Sequence, residues 1–365
     1  MLERVGGPLE VTELDLAPPG PGEALVRLHA SGVCHSDLNA VDGTAPTRCP
    51  AVLGHEGAGV VEAAGEGVAL APGTRVVLSW MPACGECEEC RRELGHLCTT
   101  AWKQMASGGL LDGRPRLSRA GEPVYHYSFL SAFAERAVVP AACCVPIPRD
   151  VPFAVAALVG CAVTTGTGAV WRTAGVRPGE RVCVIGCGGV GMSAVLGAVA
   201  VGADPVVAVD LDTDKLETAL SLGATHAVEW AGGADATAER VRAAAGGGVD
   251  YAFEATGRTE AGLAAFLSTR ARGAAVLIGI PAADAVLPLP ALQIPRLERR
   301  VLGSVYGSAR PQRDFPALLG LYRRGRLPLD RLVSRRLPLD AVEEAFDIVR
   351  AGAALRVILE TNGGA

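Results

Sequence analysis

The sequence has no basic excess. Its 34 lysines and arginines face 39 aspartates and glutamates, a formal net charge of −5, and the cations are scattered along the chain. That leaves no field to attract a phosphodiester backbone or an anionic lipid surface, so no nucleic-acid partner is expected. The first fifteen residues, MLERVGGPLEVTELD, mix acidic with apolar side chains and lack an apolar core. They read as neither a secretory signal nor a transit peptide, and the expected compartment is the cytoplasm. One uncharged run, VCVIGCGGVGMSAVLGAVAVGA at 182–203, is long enough to span a bilayer. A glycine cluster interrupts it, with β-branched residues before and alanines after, which reads as buried strand, turn and buried helix, so no membrane association is expected. Internal repeats and low-complexity tracts are missing too. Eleven cysteines are few for a disulfide scaffold of 365 residues, and four of them crowd into residues 84–98. That spacing suits a metal better than cross-links between distant loops.

What is present is the composition of a folded protein, 49% apolar and 20% charged, at a length that favours two domains. The first 150 or so residues alternate β-rich runs (EALVRLHASGV, AGVVEAAG, TRVVLSW, ERAVVP) with Gly and Pro turns, as in a small, mostly antiparallel domain. From about residue 160, strand-like RVCVIG, DPVVAVD, VDYAFEA and AAVLIGI alternate with helix-like TDKLETALSLGA and TEAGLAAFLSTR. This is the pattern of a parallel sheet with crossover helices. After residue 305 the texture changes again: RRLPLDAVEEAFDIVRAG reads as one amphipathic helix and LRVILE as a last strand.

Two motifs carry chemistry by themselves. GCGGVG sets Gly186, Gly188 and Gly191 in a G-x-G-x-x-G frame. With 46 glycines in 365 residues, roughly 0.7 such matches arise by accident, so the context has to carry the assignment. The frame follows an apolar strand, opens a helix, and precedes a second strand ending in Asp210, 19 residues after Gly191. In a dinucleotide site, Gly186 permits the tight turn, Gly188 clears space for a pyrophosphate, and Gly191 lets helix and strand pack. Asp210 would accept hydrogen bonds from the ribose hydroxyls and repel a 2′-phosphate, favouring NAD over NADP. A purely structural glycine turn is the alternative. CGECEECRRELGHLC places Cys84, Cys87, Cys90 and Cys98 at C-x₂-C-x₂-C-x₇-C. Four thiolates on a short loop point to structural zinc with no position left for water; an iron–sulfur cluster or ordinary buried thiols are the rivals.

Three further stretches, GVCHSDLN, GHEGAGVV and LVGCAVTTGTG, stand in order with these two motifs. Together they resemble the zinc-dependent medium-chain alcohol dehydrogenases, over nearly the whole chain. The resemblance implies an α/β fold in which a doubly wound parallel Rossmann sheet is inserted in a mostly β, GroES-like catalytic domain. The boundaries it suggests are 1–162 and 306–365 for the catalytic domain and 163–305 for the NAD-binding domain. It further implies two zinc ions per chain, the catalytic one on Cys34, His55 and Cys161 with Glu56 as a transient ligand. Taken singly, Cys161 would be a small buried apolar residue and His55 a satisfied core histidine.

The other roles are implied in the same way. Asp37 would orient His55, and Ser36 would take the alcohol proton. His35 would face the cofactor pyrophosphate, so that cofactor affinity softens as pH rises. Thr165 and Val190 would lie near the nicotinamide, Lys215 at the adenosine ribose and Arg356 on the pyrophosphate, with Gly189 also among the cofactor-binding residues. Trp80 and Tyr127 would line the substrate pocket. Asn39 stands where some relatives have a relay histidine, so no imidazole-like inflection is expected in the pH–rate profile. The implied activity is NAD-dependent interconversion of a primary alcohol and its aldehyde, with a small-molecule substrate and a homodimeric assembly, because the segment between the lobe and FAERAVV is long. Oxidation of a thiol adduct of formaldehyde by the same fold is the nearest rival, suggested by GGLLDGRPRLSRAGEPVYHYSFLSAFAE. A non-catalytic protein that binds NAD and zinc in a regulatory role is the other.

Overall fold

Apolar side chains alternating with polar ones make EALVRLHASGV a strand, Glu23–Val33, and one sheet assembles on it. In the computed structural model, which describes residues 1–230 and 232–361, this strand pairs antiparallel with Glu56–Ala64, Arg136–Pro140 and Arg356–Glu360. The seven-stranded sheet continues through Arg75–Leu78 to Cys144–Pro146 on one side and ends at Val333–Pro338 on the other. A four-stranded sheet joins Asp15–Leu16, Leu117–Arg119, Glu122–His126 and Ala51–Val52. Leu28, Val61, Leu78, Leu130 and Val139 fill one core cluster, and Val33, Leu38, Leu53, Phe346 and Val357 another. These elements belong to one unit, Met1–Cys161 together with the chain from Arg310 onward, and Ala162–Ala309 form a second.

Register does the positioning in the first unit. Gly32 sits opposite Glu56, and Val33 opposite Val357. The end of one strand therefore meets the beginnings of two others, bringing Cys34, His55 and Arg356 to one edge although they are far apart in the chain.

The second unit is built on a six-stranded sheet in which every pair is parallel. Its spatial order is His226–Glu229, Val206–Asp210, Val182–Ile185, Val249–Glu254, Thr269–Leu277, Arg300–Gly303. In chain order that is 3-2-1-4-5-6, the doubly wound arrangement, with the glycine turn after the first strand. The apolar run at 182–203 resolves into the strand Val182–Ile185 and the helix Gly189–Val201. Among the described residues no single helix is long and apolar enough to cross a membrane.

One expectation fails. Residues 335–352 do not form one helix: the helix runs only Val342–Arg350, and Val333–Pro338 is a strand parallel to Arg356–Glu360. Pro338 is the cause, since the residue before a proline is driven to extended backbone and the proline offers no amide to a helix. The edge strands His226–Glu229 and Arg300–Gly303 and the helix Ala234–Ala244 were not anticipated either.

Candidate functional site

Cys34 directly follows the long strand Glu23–Val33 and caps the helix His35–Asp42. A thiolate there faces the positive end of the helix. His55 immediately precedes the strand Glu56–Ala64, and Cys161 follows the helix Phe153–Val159 across Gly160. One potential ligand atom from each of Cys34, His55, Glu56 and Cys161 lies within 4.8 Å of all the others, and all four residues are buried. Two sulfurs, an imidazole and a carboxylate at this separation are a donor set suited to zinc.

The second layer fixes these groups. Asp37, with no exposed surface, accepts hydrogen bonds from the Cys34 amide (3.0 Å), the Gly54 amide (3.1 Å) and His55 Nδ1 (3.0 Å). The last contact puts the imidazole proton on Nδ1 and leaves Nε2 for the cluster. Burial lowers the His55 pKa, but Asp37 and the Cys34 thiolate outweigh it, and the net shift is well upward. A hydrogen bond from Cys161 holds Cys34 well below the usual thiol range. Burial pushes Glu56 up to about 7, against the pull of Arg356.

Arg356, for which the resemblance implies a pyrophosphate contact, lies among the clustered groups. Only 6% exposed, it turns its Nη2 to Cys34 Sγ at 3.6 Å and to Glu56 Oε1 at 3.4 Å. The physical reason is charge: a buried thiolate and a buried carboxylate need a nearby cation. Tyr127 donates its hydroxyl to the Ser36 carbonyl (2.9 Å) and sets its ring edge-on to His55 at 5.8 Å between centroids. Ser36 Oγ lies 3.8 Å from Cys34 Sγ, at the margin of the cluster. His35 points outward and is exposed, and Asn39 is half-buried. Trp80 packs edge-to-face on Trp102, 6.0 Å away.

Two residues with a part in the site were missed. A Cβ on Gly32 would come within 2.1 Å of Glu56 Oε2, so only glycine leaves room for that carboxylate. It opens the GVCHSDLN stretch, but nothing local announces a partner 24 residues on, at Glu56. Trp102 was missed because its partner, Trp80, lies across the cysteine lobe in sequence.

In that lobe the four thiol sulfurs also lie within 4.8 Å of one another. Cys84 and Cys90 Sγ are 3.9 Å apart, as are Cys87 and Cys98 Sγ. A tetrahedron with arms of about 2.3 Å has edges of roughly 3.8 Å, so the spacing fits zinc. The amides of Cys84, Cys87 and Ala101 point at these sulfurs from 3.4 Å.

In the second unit, a Cβ on Gly191 would lie 1.7 Å from the Gly186 carbonyl oxygen, so helix and strand can meet only through glycine. A Cβ on Gly188 would meet nothing within 4 Å, which fits a surface left clear for a phosphate group. Gly189 and Val190 open the following helix. Asp210 ends the second strand and accepts from the amides of Cys187 (2.6 Å) and Asp212 (3.0 Å). The Lys215 ammonium is 3.7 Å from the Asp212 carboxylate, and Thr165 is half-buried on the helix Ala162–Gly168.

Known proteins share this fold. Residues 20–149 match the alcohol dehydrogenase GroES-like domain, and residues 189–324 match the zinc-binding dehydrogenase model. An alcohol dehydrogenase zinc-binding domain protein from Burkholderia ambifaria is 35% identical, with 98% of this chain and 97% of that one covered at a TM-score of 0.93. The benzyl alcohol dehydrogenase from Acinetobacter calcoaceticus is 31% identical, with 99% and 98% covered and a TM-score of 0.92. A putative zinc-binding dehydrogenase from Sinorhizobium meliloti 1021, solved with NADP bound, is 27% identical over 98% and 97%, with a TM-score of 0.80. With a doubly wound unit inserted in a GroES-like one, and two clusters of zinc-suited donors in the first unit, this chain belongs to the zinc-binding alcohol dehydrogenases of the medium-chain dehydrogenase/reductase superfamily.

Proposed function

We propose that the protein interconverts a primary alcohol and its aldehyde, with NAD as the hydride carrier and two zinc ions per chain, one catalytic and one structural. The observation that carries this reading is the buried convergence of Cys34, His55, Glu56 and Cys161 within 4.8 Å. When bound there, zinc supplies Lewis acidity at the substrate oxygen, and the nicotinamide supplies a two-electron hydride acceptor. Cys34, His55 and Cys161 would hold the metal, and Glu56, tethered by Arg356, would be a ligand that comes and goes. The Ser36 hydroxyl takes the proton that the alcohol releases, and the Tyr127 hydrogen bond on the Ser36 carbonyl keeps that segment oriented. Asn39 can orient water but carries no proton, so solvent completes the relay.

The Asp210 carboxylate supports NAD over NADP, by repulsion of a 2′-phosphate. The likeness to a benzyl alcohol dehydrogenase, together with the Trp80–Trp102 pair, puts benzylic alcohols first among candidate substrates. A cytoplasmic homodimer is the assembly we favour: Arg300–Gly303 is an edge strand, and its Val301 is 39% exposed. The test is metal content per chain combined with NADH formation from aliphatic, allylic and benzylic alcohols, with and without an added thiol. Two zinc ions and alcohol-dependent NADH formation without thiol are expected, and Cys161→Ser should lose one ion and turnover while still binding NADH. Tight NADH binding with no turnover on any alcohol would instead favour a regulatory protein.

A further inference from the structure

Three arginines converge on one cavity of the second unit without carboxylates to match them. The cavity, about 450 Å³, is lined by Arg242, Arg296 and Arg299, with Asp235 as its one acidic residue and Leu267, Leu292 and Leu297 as its apolar wall. None of the three arginines makes an ion pair with a described residue. A larger cavity of about 520 Å³ in the same unit differs on this point: it sets Arg270, Arg272 and Arg300 against Glu180, Asp250 and Glu298. There Arg270 pairs with Asp250 and Arg272 with Glu298, so its charge is internally balanced.

Two of the three guanidiniums, those of Arg242 and Arg299, are held in place by neutral groups. Arg242 Nη1 donates to the Leu267 carbonyl at 2.7 Å. Arg299 donates to the Thr269 carbonyl and the Gln293 side chain, with its guanidinium carbon 5.3 Å from the centre of the Phe266 ring. Its Nε is buried with no hydrogen-bond partner. Burial and then the Arg242 charge lower the Arg299 pKa, as expected for like charges with no anion between them. Positions fixed in this way present remaining N–H groups at little entropic cost, and guanidinium forks match carboxylate and phosphate oxygens.

The place in the fold separates this cavity from the glycine turn. Leu267 closes the helix Thr259–Ser268, just before the amino end of the strand Thr269–Leu277, and Arg299 directly precedes the strand Arg300–Gly303. The turn at Gly186 follows the carboxyl end of Val182–Ile185, at the opposite end of the parallel sheet.

We propose that this cavity binds an amphipathic anion, a carboxylate or phosphate monoester head on the arginines with a short apolar body against Leu267, Leu292 and Leu297. The volume lies within the range of small-molecule sites.

Calorimetric titration of the full-length protein with octanoate, octyl phosphate, octanamide and inorganic phosphate tests it. Octanoate or octyl phosphate should bind, and the tighter of the two identifies the head. Octanamide and inorganic phosphate should bind at least roughly tenfold more weakly, since each lacks one half of the recognition. R242Q and R296Q should each weaken the anion by roughly tenfold or more and leave alcohol turnover unchanged. Arg296 has no side-chain hydrogen bond to a described residue, so R296Q serves even if R242Q disturbs the fold. Binding unaltered in R296Q places the anion elsewhere, for instance at the catalytic cluster, and overturns the proposal. No binding of either amphipathic anion does the same, as does inorganic phosphate matching octyl phosphate.

Discussion

Asp37 spends its carboxylate on three donors at once: the Cys34 amide, the Gly54 amide just before His55, and the His55 imidazole itself. It therefore ties the segment at Cys34 to the segment at His55 and sets the tautomer of His55. Asp37→Asn keeps the shape but puts an amide NH₂ among these donors. Zinc affinity at the catalytic site is expected to fall about 10- to 100-fold, read by competition with a chromophoric chelator, while the cysteine lobe keeps its ion. A loss of both ions together would show that Asp37 acts on the whole unit and not on His55. Cys34, His55 and Cys161 were picked out in the sequence only through the combined resemblance of their three stretches, since taken singly each reads as an ordinary buried residue. The Arg356 contacts with Cys34 and Glu56 were not legible, since they depend on which anions the folded chain buries beside it.

At the scale of elements, the hairpin Leu117–Arg119 and Glu122–His126 is held by a histidine that must stay neutral. His126 Nε2 accepts from the Arg116 amide (3.0 Å), so its proton is on Nδ1, donated to Ser131 Oγ at 3.1 Å. Burial, with Arg116 adding to it, depresses its pKa to about 4. The unfolded chain takes up this proton near pH 6.5 and the folded chain only near 4. Stability from this group is thus complete above the first value and is lost as the pH falls toward the second, by about 3 kcal/mol in all. Urea unfolding across that window should show a steeper loss for the native protein than for His126→Gln, and parallel curves would refute the assignment.

The cysteine lobe obeys a different logic. Of residues 84–98 only His96 and Cys98 are buried, so no apolar core holds the loop. Its order should depend on metal. Cys90→Ser is expected to remove one of two zinc ions and to open the lobe to limited proteolysis, with alcohol turnover retained in the freshly prepared protein until the lobe frays. The lobe was readable because its four cysteines are near neighbours in sequence. The Val342–Arg350 helix was misjudged at its start because an amphipathic pattern was followed through Pro338.

For the whole molecule, the six-stranded sheet ends at Arg300–Gly303, whose outer edge carries no strand among the described residues. An exposed edge bearing Val301 invites pairing with a second copy, and a charge there opposes it. Val301→Glu is expected to convert a dimer to a monomer in light scattering, without loss of zinc. A native protein that is already monomeric removes the assembly reading and leaves the catalytic one intact.

The sequence by itself determined what closes over short spans of chain: the four-cysteine lobe, the glycine turn with its acid, and the alternation that makes a doubly wound sheet. In those cases the covalent chain limits the distances, so spacing alone is informative. Tertiary structure alone decided that Gly32 must yield space to Glu56 and that Arg356, 322 residues from Cys34, turns toward its sulfur. Both follow from strand register, a pairing between distant segments that is selected by burial of whole faces and leaves no mark in any local run of residues.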